Sequence, residues 1–300
     1  GAEIELLPSR FEAVECWDAH RKLGPSVAYR AVDRCVELAE RFGTGTVAVD
    51  NAWHYLWGGA FALEMAGRGF IGYTNCTAML AEVVPHGGSF PTLGTNPHTW
   101  AFPTQEIAGF NILIDFATSA IAMGRVQQLA RESEPLPPNA ALDAAGTPTT
   151  DPLKVKSLLP FGGHKGYGLG LIDELMAGFI GGSLPTWRGR FAGDSRKHSP
   201  CFYFSALHPD AISSNRYHGG QSRTDNLRAV LEDIRGHGNQ DALLPGEIEA
   251  SSAARTNRAG GLIFTRSEVA AFQRISSEIG FRSWQAQPWP AERPKPQLTH

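Results

Sequence analysis

A glycine-rich segment that carries one lysine, residues 160–170 (PFGGHKGYGLG), has the residue types best suited to ligand binding. Glycines let a backbone approach a ligand closely and adopt positive φ. An apolar helix is predicted directly afterwards, over 171–180, and a helix N-terminus presents N–H groups and a positive dipole end. A lone Gly-Lys pair would favour a solvated loop, but with this density of glycine Lys165 predicts an anion site, most simply one for a phosphate.

A second segment, residues 50–55 (DNAWHY), follows a short apolar strand predicted over 46–49. Strand ends are where α/β proteins place ligands, and a histidine there can exchange protons near neutral pH. His54 is therefore a candidate acid or base. The alternative for any one of the ten histidines is a capping or packing role. Trp53, Tyr55 and Trp57 would form a flat apolar wall, suited to a nicotinamide or a substrate and equally to the core.

A third segment, residues 114–119 (IDFATS), places a carboxylate and two hydroxyls at the end of a predicted strand, 111–116. Asp115 could orient a base or a cofactor group. Thr118 and Ser119 could bind a ligand, or Ser119 could cap a helix that follows it. Taken alone, this segment supports capping and function about equally.

Composition narrows the class of protein. The chain has 300 residues and 42% hydrophobic content, enough for one large domain or two lobes. A net charge of -3 gives no reason to expect nucleic acid or an anionic membrane as a partner. The apolar runs are shorter than the roughly 20 residues of a membrane span. The four dispersed cysteines lack CxxC spacing, so we expect reduced thiols in a cytoplasmic protein and no metal site.

Helical and strand periods alternate along the chain, which predicts an α/β fold with a mixed sheet flanked by helices. The proline-rich tail, 285–300, is predicted to be an extended arm. Further helices are predicted over 27–42, 59–65, 224–234 and 267–279, the last with Ser267 as cap and Gly280 as stop, and further strands over 69–74, 100–103 and 201–205.

One apparent nucleotide motif fails on its context. Residues 67–72 (GRGFIG) match GxGxxG, but the dinucleotide fingerprint needs a strand before it and a helix after it. Here a helix precedes and a strand follows. The glycines are therefore predicted to stop the helix and turn the chain.

The motifs together resemble the type-2 malate/L-lactate dehydrogenase family. The resemblance spans roughly residues 24–280 and rests on the order of several motifs. Family members include ureidoglycolate, sulfolactate and diketogulonate oxidoreductases and reductases of piperideine- or pyrroline-2-carboxylate. The resembling motifs are Asn51…His54, 94–97 (GTNP), 115–119 (DFATS), 143–152 (DAAGTPTTDP), 163–168 (GHKGYG) and 245–247 (PGE).

The resemblance implies a non-Rossmann NAD(P)-binding fold, a homodimer, and NAD or NADP as cofactor. His54 and Asp115 become candidate catalytic residues. It also implies an NAD(P)-binding lobe over 44–206 and a helical substrate and dimer lobe from 1–43 and 207–300. The implied cofactor contacts are His54, Tyr55, Thr77, Asp115, Phe116, Ala117, Thr118, Ser119, His164, Lys165 and Gly166, with Pro245, Gly246 and Glu247 in a late loop beside the cofactor.

Two features depart from the family pattern. Nothing before Val27 matches the family's Ser-His-Gly motif and following arginine, since His20 stands in DAHR. Either that segment lies outside this sequence or half of the substrate site is lost, with Arg125 and Arg223 as candidate replacements for the arginine. Leu56 also stands where members commonly have glycine.

The predicted function is hydride transfer between nicotinamide and C2 of a small 2-hydroxy or 2-oxo acid, with a small carboxylate as substrate. A cyclic imine carboxylate reductase is the first alternative. A catalytically dead nucleotide-binding subunit is the second, because binding alone would also use Lys165 and Asp115.

Overall fold

A central sheet carries the functional segments. In the computed structural model, which describes residues 3–181, 199–262, 264–281 and 284–287, its order is β1-β2-β3-β10-β4-β5-β6. Only β2 and β3 pair in parallel, and the other neighbours are antiparallel. The strands are β1 (Glu5–Leu7), β2 (Val14–Asp18), β3 (Thr44–Asp50), β4 (Ile71–Cys76), β5 (His98–Phe102), β6 (Ile112–Phe116) and β10 (Phe202–Leu207). The predicted mixed sheet flanked by helices is confirmed.

Strand register brings the predicted functional segments to one end of this sheet. Phe202 pairs with both Val49 and Cys76, and His98 pairs with both Asn75 and Phe116. The ends of β3, β4 and β6 therefore meet the starts of β5 and β10. We call this end of the sheet, where those strand termini meet, the site end of the sheet.

Two helices pack on the sheet and form most of the core. Among the described residues before 243, the α-helices are α1 (Gly24–Phe42), α2 (Gly58–Gly67), α3 (Gln105–Ala108), α4 (Met123–Glu132), α5 (His164–Ile180) and α6 (Arg223–Arg235). Helix α1 packs on β3 and β10, while α2 packs on β4 and β5. Val27, Val32 and Cys35 of α1 meet Val49 and Phe204 in the main core cluster, as their helical spacing predicts. Gly43, at φ 81°, ends α1.

A small second sheet has the order β8-β7-β9, formed by β7 (Ala141–Leu142), β8 (Pro148–Thr149) and β9 (Ser157–Leu158). The chain divides into the compact units Gly1–Ala242 and Leu243–His300. The second unit contains α7 (Glu247–Ala259) and α8 (Arg266–Glu278). The predicted functional lobes stay a prediction, although β1 and β2 join the same sheet as β3. No helix in the described ranges is long and apolar enough to cross a membrane.

Every predicted helix and strand overlaps an observed one, but two predicted caps are wrong. Helix α4 begins at Met123, and the Ser119 hydroxyl instead donates to Ile121 O at 2.8 Å. Thr265, not Ser267, caps α8 through a capping box with Glu268. The strands β1, β2, β7, β8 and β9 and the helices α3 and α7 were not predicted. The predicted arm, 285–300, lies outside the described residues from residue 288 onward.

Candidate active site

The loop that carries His54 is fixed on both sides. Trp53 N–H donates to Lys22 O at 2.9 Å, and Arg21 N–H donates to Asn51 O at 2.6 Å. The first residue of α1, Gly24, lies so close to the loop that a Cβ there would come within 2.1 Å of Trp53 O. The start of α1 and the 19–22 turn therefore hold His54 in place.

His54 is set up as a neutral hydrogen-bond donor. Its ring is exposed at the site end of the sheet, and its Nδ1 accepts the Leu56 N–H at 2.8 Å. In the neutral ring the proton is then assigned to Nε2. Partial desolvation lowers the pKa of His54 below its ordinary value of 6.5. The arrangement favours the neutral ring with its proton on Nε2 over an imidazolium, because a proton on Nδ1 would break the bond to Leu56.

Leu56 has a strained backbone. Its φ is 75°, and its side chain is 74% exposed. A positive φ costs a branched residue more than glycine, which gives a physical reason for glycine at this position in the family. The bond from Leu56 N–H to His54 Nδ1 helps to hold this conformation.

Asp115 is exposed on β6, with both carboxylate oxygens bonded. Trp57 Nε1 donates to Oδ2 at 2.8 Å, and Thr99 Oγ1 donates to Oδ1 at 2.5 Å. The first bond joins the His54 loop to the predicted cofactor segment 115–119. Sequence reasoning missed Thr99 as a site residue, because a threonine in a strand gives no signal by itself.

Four other predicted cofactor contacts are buried. The Tyr55 ring is 1% exposed and stacks on Phe202 with centroids 4.8 Å apart. Thr77 Oγ1 accepts Cys201 N–H at 3.0 Å, and Thr118 Oγ1 donates to Thr95 O at 3.1 Å. Like the Ser119 hydroxyl, these side chains make their contacts within the protein. Phe116 and Ala117 are partly exposed.

The glycine-rich segment forms a tight turn into α5. Gly162 and Gly163 have φ values of 56° and 62°. A Cβ on Gly166 would lie 2.4 Å from Phe161 O and 2.7 Å from Thr118 O. Phe161 N–H also donates to Thr118 O at 3.0 Å. The close approach that glycine permits here joins the start of α5 to segment 115–119.

The start of α5 offers charge more than open backbone donors. Gly166 N–H already donates to Phe161 O at 2.9 Å, and Tyr167 N–H donates to Gly163 O at 3.2 Å. Lys165 and His164 are exposed, and the His164 ring lies 6.0 Å from that of His86. An anion here would therefore be bound mainly by the Lys165 ammonium group and the helix dipole.

A buried polar network fastens α5 to the sheet. Asn96, from the 94–97 turn, donates through Nδ2 to Gly170 O at 2.9 Å and to Glu174 Oε1 at 2.8 Å. His98 Nε2 lies 3.1 Å from Leu169 O and 3.3 Å from Asp173 Oδ1. Burial raises the pKa of Asp173, with Glu174 adding to the shift, and burial lowers the pKa of His98. Both shifts favour neutral groups beneath the helix.

Arg21 is the arginine that the structure places against the His54 loop. Its guanidinium carbon lies 4.5 Å from the centre of the Trp53 ring. Arg125 lies on α4, 3.6 Å from Glu132. Arg223 bonds Asp210 and lines a cavity of about 740 Å³ that also contacts Ile71 and Phe102, at the opposite end of the sheet.

Pro245, Gly246 and Glu247 lie in the second unit, where Glu247 begins α7 and accepts Leu244 N–H at 3.0 Å.

Glu5, Asp18 and His20 come within metal-ligand spacing of one another. In this exposed cluster His20 Nε2 lies 3.1 Å from Glu5 Oε2, so the groups already pair with each other.

A sheet rich in antiparallel pairs, with candidate proton-transfer and anion-binding groups at one end, defines an α/β enzyme that is not of the Rossmann type. The family model of malate/L-lactate dehydrogenase matches residues 2–272. The chain belongs to this family.

Known relatives agree with that assignment. L-sulfolactate dehydrogenase of Methanothermobacter thermautotrophicus is 34% identical over 240 residues, which cover 79% of this chain and 67% of that protein. Delta(1)-pyrroline-2-carboxylate reductase 1 of Burkholderia ambifaria is 31% identical over 245 residues, covering 80% and 69%. The solved sulfolactate dehydrogenase from Methanocaldococcus jannaschii matches with a TM-score of 0.77 at 27% identity, covering 93% and 79%. The family and these names indicate a dehydrogenase or reductase with a nicotinamide cofactor and a small acid substrate.

Proposed function

We propose that this protein is an NAD(P)-dependent oxidoreductase acting on C2 of a small 2-hydroxy or 2-oxo acid. In the reducing direction, a hydride from nicotinamide C4 and a proton convert the 2-oxo acid to the 2-hydroxy acid. The observation that carries the proposal is the meeting of His54, Asp115 and the Lys165 turn at one end of the sheet.

His54 is the proposed proton-handling residue. Because Nδ1 accepts Leu56 N–H, the proton of the neutral ring lies on Nε2 of this exposed side chain, from where it can donate a hydrogen bond to the substrate's C2 oxygen. In reduction, that bond stabilises the negative charge that develops on the oxygen. Asp115 is the proposed fixed acceptor beside it, held by Trp57 and Thr99.

Lys165 and the start of α5 are the proposed phosphate contact of the cofactor. The fit rests on an exposed ammonium group at the N-terminus of a 17-residue helix, next to exposed His164. Gly166 brings this turn against segment 115–119. The other predicted cofactor contacts, Pro245 to Glu247 included, remain part of the proposal.

Arg21 is the proposed contact for the substrate carboxylate. Stacking on Trp53 presents its guanidinium beside the loop that carries His54. We expect Arg21→Ala to raise KM for every acid that turns over, by roughly 10-fold to 100-fold for a lost charged hydrogen bond. Arg125→Ala, on the surface of α4, is the matched control. A KM unchanged in Arg21→Ala would remove this assignment.

Reduction of a cyclic imine carboxylate is the second candidate, favoured by the 31% identity to the pyrroline-2-carboxylate reductase. The first experiment follows the oxidation of NADH and of NADPH in parallel with 2-oxo acids and with five- and six-membered cyclic imine carboxylates. Turnover identifies the cofactor and the substrate class. Nucleotide binding without turnover across the panel would favour a binding-only subunit and contradict the proposal.

We also propose a homodimer formed through α5. Leu171, Ile172, Leu175 and Phe179 expose one apolar face of this helix, and Phe179 is 90% exposed. Light scattering should give twice the chain mass, and Leu175→Glu should reduce it. A cytoplasmic location is proposed because the four cysteines are free thiols, and cell fractionation tests it.

A further inference from the structure

The carboxylate of Asp115 is held from two different elements. Thr99 lies directly opposite Asp115 in the β5–β6 pairing and donates to Oδ1. Trp57, immediately before α2, donates to Oδ2 from the loop that also carries His54. One donor therefore comes from the neighbouring strand and the other from the loop that carries His54.

Two glycines at the start of α2 make this arrangement sterically feasible. A Cβ on Gly58 would lie 2.4 Å from Thr99 Oγ1, and a Cβ on Gly59 would lie 2.3 Å from two carbons of the Trp57 ring. Glycine at both positions therefore leaves the space that the Thr99 hydroxyl and the Trp57 indole occupy.

The hydroxyl of Thr99 is distinguished from its neighbours by its bond to Asp115. The Tyr55 hydroxyl and Thr74 Oγ1 are buried beside it around Gly58. In this buried hydroxyl layer, the Thr99 hydroxyl is paired with a group that reaches the site.

We propose that Trp57 and Thr99 are positioning residues that fix the orientation of the Asp115 carboxylate and couple it to the His54 loop. A carboxylate with a donor on each oxygen is held in one plane and presents fixed acceptor directions. The inference rests on the proposed oxidoreductase function, in which Asp115 faces the cofactor and substrate.

The test is a set of double-mutant cycles on the full chain. Trp57→Phe and Thr99→Val each remove one donor and keep most of the shape. Each is expected to lower kcat about 10-fold, with KM nearly unchanged, because misplaced catalytic groups cost rate. In an Asp115→Ala background each should cost less than about 2-fold, because both acceptor oxygens of Asp115 are then absent. Thr99→Ser should restore most of the rate.

Two matched controls separate positioning from stability. Trp100→Phe alters a partly exposed tryptophan on the same strand, and Thr104→Val removes a buried hydroxyl that bonds backbone groups, the carbonyls of Phe102 and Phe110 and the N–H of Ile112. Both should keep the wild-type rate at a temperature where they are folded. Equal losses from Trp57→Phe or Thr99→Val in the two backgrounds would overturn the inference.

The same cycles are measured on NADH and NADPH affinity through quenching of tryptophan fluorescence. If the wild type binds nucleotide but turns over no substrate, the proposed function fails, while coupling of both donors to Asp115 in binding would still support the positioning role. Absence of coupling in an enzyme that does turn over would reject the positioning role alone. Absence of both binding and turnover would reject both.

Discussion

The His54–Asp115 half of the site and the Lys165 half place their functional groups by different means. In the first, side-chain hydrogen bonds from the 51–57 loop and from β5 fix a ring and a carboxylate. In the second, glycines let the turn pack against Thr118 O and Phe161 O, while the charged side chain stays exposed. Proton handling needs an atom at a defined point and angle, whereas anion binding needs charge and a close backbone.

The largest expected effect comes from removing the imidazole of the first half. His54→Ala should lower kcat by about 100-fold or more, the usual range for a lost acid or base, and leave nucleotide affinity nearly unchanged. Desolvation lowers the pKa of His54 from its ordinary value of 6.5. The ring is therefore protonated only when the pH falls below 6.5. Wild-type kcat should decline on that acidic side. His237→Ala, an exposed histidine on the protein surface, is the control.

The second half is tested by Lys165→Ala. Loss of a charge-assisted contact should weaken NADH or NADPH binding by roughly 10-fold to 100-fold, with kcat at saturating cofactor nearly unchanged. The wild-type affinity should fall with added salt more steeply than that of the variant. Lys154→Ala, at an exposed ion pair with Asp151, controls for charge. An unchanged nucleotide affinity in Lys165→Ala would contradict the assignment of Lys165 as the phosphate contact, and with it the contrast between the two halves.

The smallest expected effect is on stability, from a substitution of Leu56 in the His54 loop. Leu56→Gly should raise stability by up to about 1 kcal/mol, because it relieves a positive φ at little loss of buried surface. Leu153→Gly, at another exposed leucine without a positive φ, should instead destabilise the protein. Urea unfolding of the two variants compares the signs directly. Destabilisation by Leu56→Gly would mean that the Leu56 side chain stabilises the fold by more than its positive φ costs.

Sequence periodicity predicted the large elements well where the local pattern and the packing agree. The apolar spacing over 27–42 produced α1, and the apolar run at 46–49 produced β3. The context of residues 67–72 was also interpreted correctly, since α2 precedes them and β4 follows. Local capping rules failed at Ser119 because its hydroxyl bonds Ile121 O and the chain continues three residues before α4 begins.

Other features were beyond a local pattern. The edge strands β1 and β2 are short, and pairing with β3, not periodicity, makes them strands. The sequence offered Arg125 and Arg223 as candidates for the substrate arginine. In the structure, Arg223 lines a cavity with Ile71 and Phe102, which lie at the end of the sheet away from His54. Arg21 emerged only because the 19–22 turn bonds back to residues 50–53.

The sequence by itself determined the family, the alternation of helices and strands, and the segments that carry chemistry. It could do so because glycine density, strand ends and motif order are properties of neighbouring residues. Tertiary structure decided which groups meet. Thr99 reaches Asp115 across 16 residues and Trp57 reaches it across 58, through strand register and the start of α2. Such contacts depend on how distant elements pack in space, which no local pattern in the sequence encodes.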